Sequence, residues 1–273
     1  MSHATREAWL RRALYGFSAL VLLFLWVPLI VMTFLSFAEN ASTVFPFQGF
    51  TLAHYAATLR DASLRNSLMN SLKIATASAL IATALGVLAA FGLARFQFRL
   101  KQAFRTFGIL PMVIPGVVLG MALLIFFRTI VPGLTPGPKT IILTHSVYGF
   151  PFVLLPVAAR LYSFDESLEE AARDLGAGPL RTFTDVTLPI IAPAVAAGFL
   201  FAWIRSFEDF IRVFFVRGLT DVLTTTMFSM IKYGAAPKMN AISALIVLGI
   251  GIALAVAMNL GNVAGFVAGD GGE

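Results

Sequence analysis

Residues 163–189 read SFDESLEEAARDLGAGPLRTFTDVTLP and lie between two long apolar segments. The spacing Ser163-x-x-Glu166 matches a capping box, which predicts the start of a short helix. Apolar residues then recur at helical spacing, and charged residues fill the other face. Gly176 is suited to end this helix with a positive φ, and Pro179 to begin a second one. The apolar set is Phe164, Leu168, Ala171, Ala172 and Leu175; the charged set is Glu166, Glu169, Glu170, Arg173 and Asp174. We therefore expect two short helices joined by a tight turn outside the bilayer.

The same stretch carries a longer spacing pattern. Glu170-Ala171-Ala172 is followed after three residues by Gly176, and after nine more by Val186-Thr187-Leu188-Pro189. Taken alone, the stretch fits a solvated helical loop equally well. The pattern, however, is similar to the EAA signature of ATP-binding-cassette importer permeases, EAA-x3-G-x9-I-x-LP, with Val186 in place of isoleucine. The resemblance implies a coupling helix that docks on a cytoplasmic ATPase subunit. It assigns ATPase-coupling roles to Glu170, Ala171, Ala172, Gly176, Leu188 and Pro189.

Composition places the whole chain in the membrane. Of its 273 residues, 58% are hydrophobic and 12% are charged, and the mean hydropathy is +0.85. Soluble domains carry roughly 25% charged residues. These values predict an all-α integral membrane protein, so the net charge of +6 concerns topology rather than nucleic acid. The chain has no cysteine, which excludes disulfides and thiolate metal sites. The first apolar run exceeds the roughly 7–15 residues of a signal-peptide core, so we expect a retained first span.

Six apolar segments have about the 20 residues needed to cross the hydrocarbon. They form a predicted transmembrane domain, 14–263, between a polar N-terminus, 1–13, and a glycine-rich tail, 264–273. Six spans place both termini on one side, and the basic, acid-free loop 95–105 predicts that this side is cytoplasmic. The coupling loop 163–189 falls on the same side, as expected for a multi-pass protein of the inner (plasma) membrane. The segments are 14–37, 68–94, 107–127, 140–161, 190–215 and 241–263.

A second resemblance covers most of residues 107–260. LPMVIPGVVLGMALLIFF (110–127), SFEDFIRVFFVRG (206–218) and MFSMIKYGAAPKMNAIS (227–243) resemble the spermidine/putrescine branch of these permeases. The branch implies a six-helix fold of the binding-protein-dependent importer type that works by alternating access. Its partners would be two ATPase subunits that hold ATP and Mg, a second permease subunit from a different chain, and an extracytoplasmic solute-binding protein. This chain has no G-x-x-x-x-G-K-[ST] motif, so we expect no cofactor in it.

Span five contains four ionisable residues, which are costly at membrane depth and mark candidate substrate pathways. The spacing of Arg205, Glu208, Asp209 and Arg212 predicts one shared helical face. The resemblance implies that Glu208 and Asp209 receive the ammonium groups of a polyamine. Gly116, however, stands where the branch often has an acidic residue. Two alternatives therefore stay open: a self-neutralised ladder of ion pairs, or a mixed-sign site for a zwitterion or anion such as an amino-phosphonate or an amino acid derivative.

The other candidate residues suggest less. The histidines His3, His54 and His145 have no metal-ligand spacing, and we expect isolated polar residues near the membrane edges. No sequence motif of a hydrolase or a metalloprotease is present, which argues against a membrane-embedded enzyme. An ion-gradient transporter that uses Glu208 or Asp209 as a proton relay is a further, less favoured alternative.

Overall fold

The computed structural model describes the backbone of residues 3–39, 49–233 and 236–267. Within these ranges the regular structure is helical, apart from an isolated bridge between Ala38 and Phe50. The chain divides into two compact units, Met1–Ala62 with Met227–Glu273, and Ser63–Thr226. The α-helices are α1 His3–Leu35, α2 Ala53–Arg60, α3 Ala62–Arg95, α4 Lys101–Val113, α5 Gly116–Thr129, α6 Pro138–Tyr162, α7 Ser167–Asp174, α8 Pro179–Thr182, α9 Leu188–Phe207, α10 Ile211–Val216, α11 Leu223–Lys232 and α12 Ala236–Val267; a π-helical segment, Phe183–Thr187, joins α8 to α9.

Length and hydropathy identify most of the predicted spans. Among the described residues, 4 helices are long and apolar enough to cross a membrane, and the bent pair α4 and α5 raises the number to 5 if it forms one span. The apolar part of α12 whose side chains are described, Pro237–Ile252, is shorter than the roughly 20 residues of a full span. The all-helical membrane fold is confirmed, and the sixth span stays a prediction. The last residues of the predicted tail, 268–273, lie outside the described ranges.

In the first unit, α12 packs on α1 and α2. Lys238, near the start of α12, forms an ion pair with Asp61 at the end of α2. The hydroxyls of Ser36 and Tyr55 lie 2.5 Å apart, and this contact joins the end of α1 to α2. Most of α1 is exposed within the chain, as expected for an apolar helix that faces lipid.

The core of the second unit is a three-helix contact in which α6 lies between α3 and α9. A Cβ built on Gly149 of α6 would lie 3.3 Å from the Cβ atoms of both Ala82 on α3 and Ala202 on α9. One turn later the arrangement is reversed, because Gly86 and Gly198 both lie against Val153 of α6. Small residues at these crossings let helix backbones approach closely, which is how apolar helices associate without a hydrophobic driving force.

Two of the predicted continuous spans are interrupted. Span three bends by 108° between α4 and α5, because Pro115 follows Ile114, which has an extended backbone with ψ 131. Span five stops at Phe207 and resumes at Ile211 as α10. The second halves of both spans then pack together, with Gly120 of α5 against Arg212 and Phe215 of α10. These interruptions position the ionisable residues of span five.

Backbone contacts show which loops of the second unit share an end. The amide of Gly137, before α6, donates to Val216 O (3.1 Å), and the amide of Leu223 donates to Ser71 Oγ near the start of α3 (2.8 Å). At the opposite end, the Tyr162 hydroxyl donates to Leu93 O (3.1 Å). The end of α3 and the coupling loop therefore lie together, at the other end from residues 216–223.

Candidate coupling loop and substrate pathway

The first helix of the coupling loop begins later than predicted. Ser163 is the C-cap of α6, and its hydroxyl donates to Arg160 O (3.0 Å). The predicted capping box of Ser163 and Glu166 is therefore wrong. Instead, the Asp165 carboxylate accepts the Ser167 amide at 3.0 Å and forms an Asx turn just before the new helix. Hydrogen bonds from the Ser167 hydroxyl and amide lower the pKa of Asp165 below its ordinary value.

The turn that ends α7 follows the prediction closely. Gly176 has φ +85; its amide donates to Arg173 O (2.9 Å), and the Ala177 amide donates to Ala172 O (3.0 Å). This pair of bonds is the Schellman motif, which requires a residue with positive φ at the Gly176 position. Pro179 then begins α8. The two short helices and their glycine turn are confirmed.

The coupling loop leaves apolar side chains uncovered within this chain. Leu175 is 90% exposed and Leu180 is 77% exposed, and a groove of about 430 Å³ is lined by Gly178, Pro179, Leu180, Arg181 and Thr184. The predicted coupling residues are placed as follows: Glu170 and Ala171 are exposed and Ala172 is half-buried on α7, Gly176 is exposed in the turn, and Leu188 and Pro189 are exposed at the start of α9. Phe164, predicted on the apolar face of the helix, is instead buried before it.

Glu169, predicted on the solvated face, is buried at the end of the bundle. Its side chain is 12% exposed. One carboxylate oxygen lies 2.8 Å from Arg95 Nη2 and accepts the Thr187 hydroxyl at 2.6 Å. The other oxygen lies 3.3 Å from Arg173 Nη2. The sequence alone gives no sign of this cluster, because Arg95 and Glu169 are far apart in the chain and belong to different loops.

The predicted single face of four ionisable residues in span five is wrong. α9 ends at Phe207, and residues 208–210 are not helical, so the four residues do not share one continuous helix. The structure instead forms two separate pairs, Arg205 with Glu208 and Arg212 with Asp209. Each acid thus pairs with one arginine, as in the ladder of ion pairs.

The first pair is accessible. The side chains of Arg205 and Glu208 are 41% and 49% exposed. Arg205 also donates from Nε (3.0 Å) and Nη2 (2.5 Å) to the Tyr148 hydroxyl on α6. The carboxylate of Glu208 therefore has one guanidinium partner and an open side, which is the geometry a ligand needs in order to reach it.

The second pair is buried and has a structural role. Asp209 Oδ1 accepts the Arg212 amide at 3.3 Å, which caps α10, and Asp209 Oδ2 lies 3.3 Å from Arg212 Nη1. Asp209 and Arg212 are 7% and 8% exposed. The Arg212 guanidinium carbon lies 3.4 Å from the centre of the Tyr148 ring, a close cation–π contact. Arg212 thus holds α10 against α6 as well as neutralising Asp209.

His145 was expected to be an isolated polar residue near a membrane edge, and the structure corrects the expectation that it is isolated. It is 2% exposed, with Nδ1 2.6 Å from Ser206 Oγ and Nε2 3.3 Å from Asp209 Oδ2. It therefore joins α6, α9 and the break in span five. Among the described residues no three His, Asp or Glu side chains are grouped in a way that could hold a metal ion.

Gly116 lies against the buried pair. A Cβ built on it would lie 3.3 Å from the Arg212 guanidinium carbon. The space beside Pro115, at the start of α5, is therefore next to an arginine. Because residue 116 is glycine and not an acidic residue, it cannot balance the charge of Arg212. Asp209 balances this charge, which is the pairing observed.

Comparison with known proteins agrees with this geometry. Residues 82–269 match the family described as binding-protein-dependent transport system inner membrane component. The chain belongs to this family. It is 34% identical over 235 residues to the putrescine transport system permease protein PotI of Escherichia coli (84% of this chain, 83% of PotI). It is 32% identical over 232 residues to the spermidine/putrescine transport system permease protein PotC of Escherichia coli (85% of this chain, 87% of PotC).

A solved structure supports the fold. The chain superposes on a bacterial ABC transporter involved in the import of the acidic polysaccharide alginate with a TM-score of 0.70 and 18% identity, covering 95% of this chain and 98% of that one. The identity is low, so this match concerns the fold alone. The family and the two relatives identify the chain as a permease subunit of an ATP-binding-cassette importer that is similar to polyamine permeases.

Proposed function

We propose that this permease imports a polyamine-like organic cation, and that the exposed carboxylate of Glu208 is the group that meets it. The proposal is carried by one observation: at the break in span five, Asp209 is buried against Arg212 and His145, while the Glu208 side chain is 49% exposed. The similarity to the putrescine permease PotI supports the same class of solute. Asp209, which the sequence pattern grouped with Glu208, would then shape the break without touching solute.

The partners follow from the exposed surface of the coupling loop. Leu175, just after α7, and Leu180, on α8, are apolar and exposed, which suits docking in a groove of an ATPase subunit. We propose two such ATPase subunits, which hold ATP and Mg, together with a second permease chain and an extracytoplasmic solute-binding protein. In this arrangement the permease itself is no enzyme and carries no cofactor.

We propose the same orientation that the basic loops predict. The contact between Arg95 and Glu169 (2.8 Å) joins the basic loop 95–105 to the coupling loop at one end of the second unit. By the positive-inside rule this end is cytoplasmic, which puts the break in span five toward the extracytoplasmic half. ATP-driven movement of α7 would then re-orient spans three to five in an alternating-access cycle.

A second candidate solute is a zwitterion or anion, and the exposure of Arg205 favours it. The Arg205 side chain is 41% exposed, and arginine suits bidentate capture of carboxylate or phosphate oxygens. The two candidates predict opposite effects of one substitution. Arg205→Gln frees the Glu208 carboxylate, so it would leave uptake of a cation unchanged or improve it. The same change would weaken uptake of an anionic solute.

The test is ATP-dependent uptake into proteoliposomes that contain the complete transporter and its binding protein. Labelled putrescine and 2-aminoethylphosphonate serve as the two probes. We expect the wild-type transporter to take up putrescine in an ATP-dependent way. Glu208→Gln should lower this uptake by about tenfold, as for the loss of one charged hydrogen bond. Arg205→Gln should not lower it. Asp221→Asn is the matched control, because it removes a carboxylate from an exposed ion pair with Arg217 near the same end. Uptake of the phosphonate alone, with loss in Arg205→Gln, would replace the cation with the second candidate. Uptake driven by an ion gradient without ATP would reject both.

A further inference from the structure

We infer that Glu169 is a positioning residue that fastens the coupling helix α7 to the end of α3 and to the start of α9. The inference rests on the proposed docking function of the coupling loop. Glu169 is adjacent to Glu170 but has different surroundings: Glu170 is exposed, whereas Glu169 is buried, with 9% exposure. The neighbouring carboxylates thus have different roles, Glu170 toward a partner and Glu169 toward the permease itself.

The contacts of Glu169 come from three elements. Arg95 is the last residue of α3, Thr187 is the last residue of the π-helical segment before α9, and Arg173 lies one turn along α7. Thr187 is 2% exposed, so its hydroxyl depends on Glu169 for a partner. A charge-assisted bond of 2.6 Å to a buried hydroxyl is short and strong.

Arg95 is held from the other side as well. Its Nη1 lies 2.6 Å from Glu166, and its guanidinium carbon lies 5.2 Å from the Phe164 ring. Both residues belong to the segment that leads into α7. Arg95 therefore grips the loop before α7 and α7 itself, so the loop cannot shift without either moving α3 or breaking these bonds.

Other side chains of α7 offer little to replace this attachment. Leu168 is 47% exposed and Leu175, just after the helix, is 90% exposed, so the large apolar side chains contribute little packing on the permease. An isolated helix of this length is marginal in water. The position of α7 therefore depends on the polar cluster around Glu169, and removal of its charge leaves the half-buried Arg95 with Glu166 as its carboxylate partner.

The cluster also connects to the pathway. α3 packs through Ala82 and Gly86 on α6, the helix that carries His145 and Tyr148, and Thr187 leads directly into α9, which carries Arg205. A π-helical segment is a local distortion that is frequent at functional sites. A displacement of α7 by the ATPase would thus be delivered to α3 and α9 together, through Glu169.

The test measures the attachment directly and does not depend on the solute. Because the chain has no cysteine, spin labels can be placed at Leu88→Cys on α3 and Asp174→Cys on α7, both exposed. In the complete transporter we expect one narrow distance distribution that ATP leaves unchanged. Glu169→Gln should broaden it, or shift its mean on ATP binding by about 1.5 Å or more, the rise of one helical residue. Asp185→Asn is the control, because it removes a carboxylate from an exposed pair with Arg181 in the same loop.

Thr187→Val is a milder variant, because it removes the hydroxyl and keeps the shape of the side chain. It should also broaden the distance distribution, and it replaces Glu169→Gln if that variant does not assemble. The coupled readout is the number of putrescine molecules moved per ATP hydrolysed, which should fall by about tenfold in Glu169→Gln, as for the loss of one charged hydrogen bond. A distribution as narrow as wild type in both variants, or an unchanged ratio in assembled Glu169→Gln, overturns the inference. If wild type moves no putrescine, the proposed solute fails while the distance measurement still decides the role of Glu169.

Discussion

The crossing of α6 and α9 gives a quantitative prediction at Gly198. An alanine Cβ there would lie 2.9 Å from the Cα of Val153 and 3.3 Å from the carbonyl oxygen of Phe152. Both are backbone atoms, so the helices must separate. Alanine gains about 0.5–1 kcal/mol of helix propensity over glycine, whereas overpacking costs about 1–3 kcal/mol. We expect Gly198→Ala to destabilise the protein by about 1 kcal/mol, the difference between central values of about 2 and about 0.75 kcal/mol for these two terms.

Gly92 of α3 is the matched control, because a Cβ there meets nothing within 4 Å. Gly92→Ala should stabilise by up to about 1 kcal/mol. The measurement is unfolding of the purified transporter in mixed detergent micelles, followed by the fluorescence of Trp203, whose indole donates to Thr76 on α3 (3.1 Å). Equal stability of Gly198→Ala and wild type, or a shift of both variants in the same direction, would refute the close crossing.

Three further predictions concern the loop, the topology and the buried pair. Gly176→Asp should abolish solute-stimulated ATP hydrolysis without unfolding the spans, because φ +85 strains aspartate and the added charge faces the docking surface; full coupled transport by the assembled variant would contradict this. Ser167 and Thr135 are both exposed. In intact cells, a single cysteine at Ser167 should not react with an impermeant thiol reagent, whereas one at Thr135 should react. The reverse labelling would reject the orientation. Arg212→Gln should lower the free energy of unfolding by about 3–5 kcal/mol, because it leaves Asp209 buried without its cation, and it should therefore impair transport. Arg205→Gln removes an exposed pair and should change the free energy of unfolding by less than about 1 kcal/mol. Thermal unfolding of the two variants measures this difference.

Local rules were sufficient for the parts of the loop that depend on neighbouring residues. A glycine at the end of a short helix and a proline three residues later define the Schellman turn and the start of α8, and both lie where the pattern predicts. The predicted capping box failed because Ser163 is used to finish α6, and the Asx turn of Asp165 leads into α7 instead. Spacing alone does not decide between them.

The candidate pathway could be predicted only in part, because its contacts are long-range. The four charged residues of span five are found from composition, and the pairing of acids with arginines was one of the alternatives. The break at residues 208–210 was missed, since the segment contains no proline or glycine that would mark it. His145 and Tyr148 lie about sixty residues earlier in the chain, and nothing in their surroundings in sequence indicates that they receive Asp209 and Arg205.

Glu169 and Glu170 show why a sequence motif identifies only part of a coupling device. Successive residues of an α-helix point about 100° apart, since 3.6 residues complete a turn. Adjacent carboxylates on a short helix that rests on a bundle can therefore have different surroundings. Glu170 belongs to the spacing pattern and is exposed, whereas Glu169 is buried against Arg95 and Thr187. The docking surface that we propose on α7 needs an equally firm attachment behind it, and we infer that attachment from Arg95, Glu169 and Thr187, which the pattern does not include.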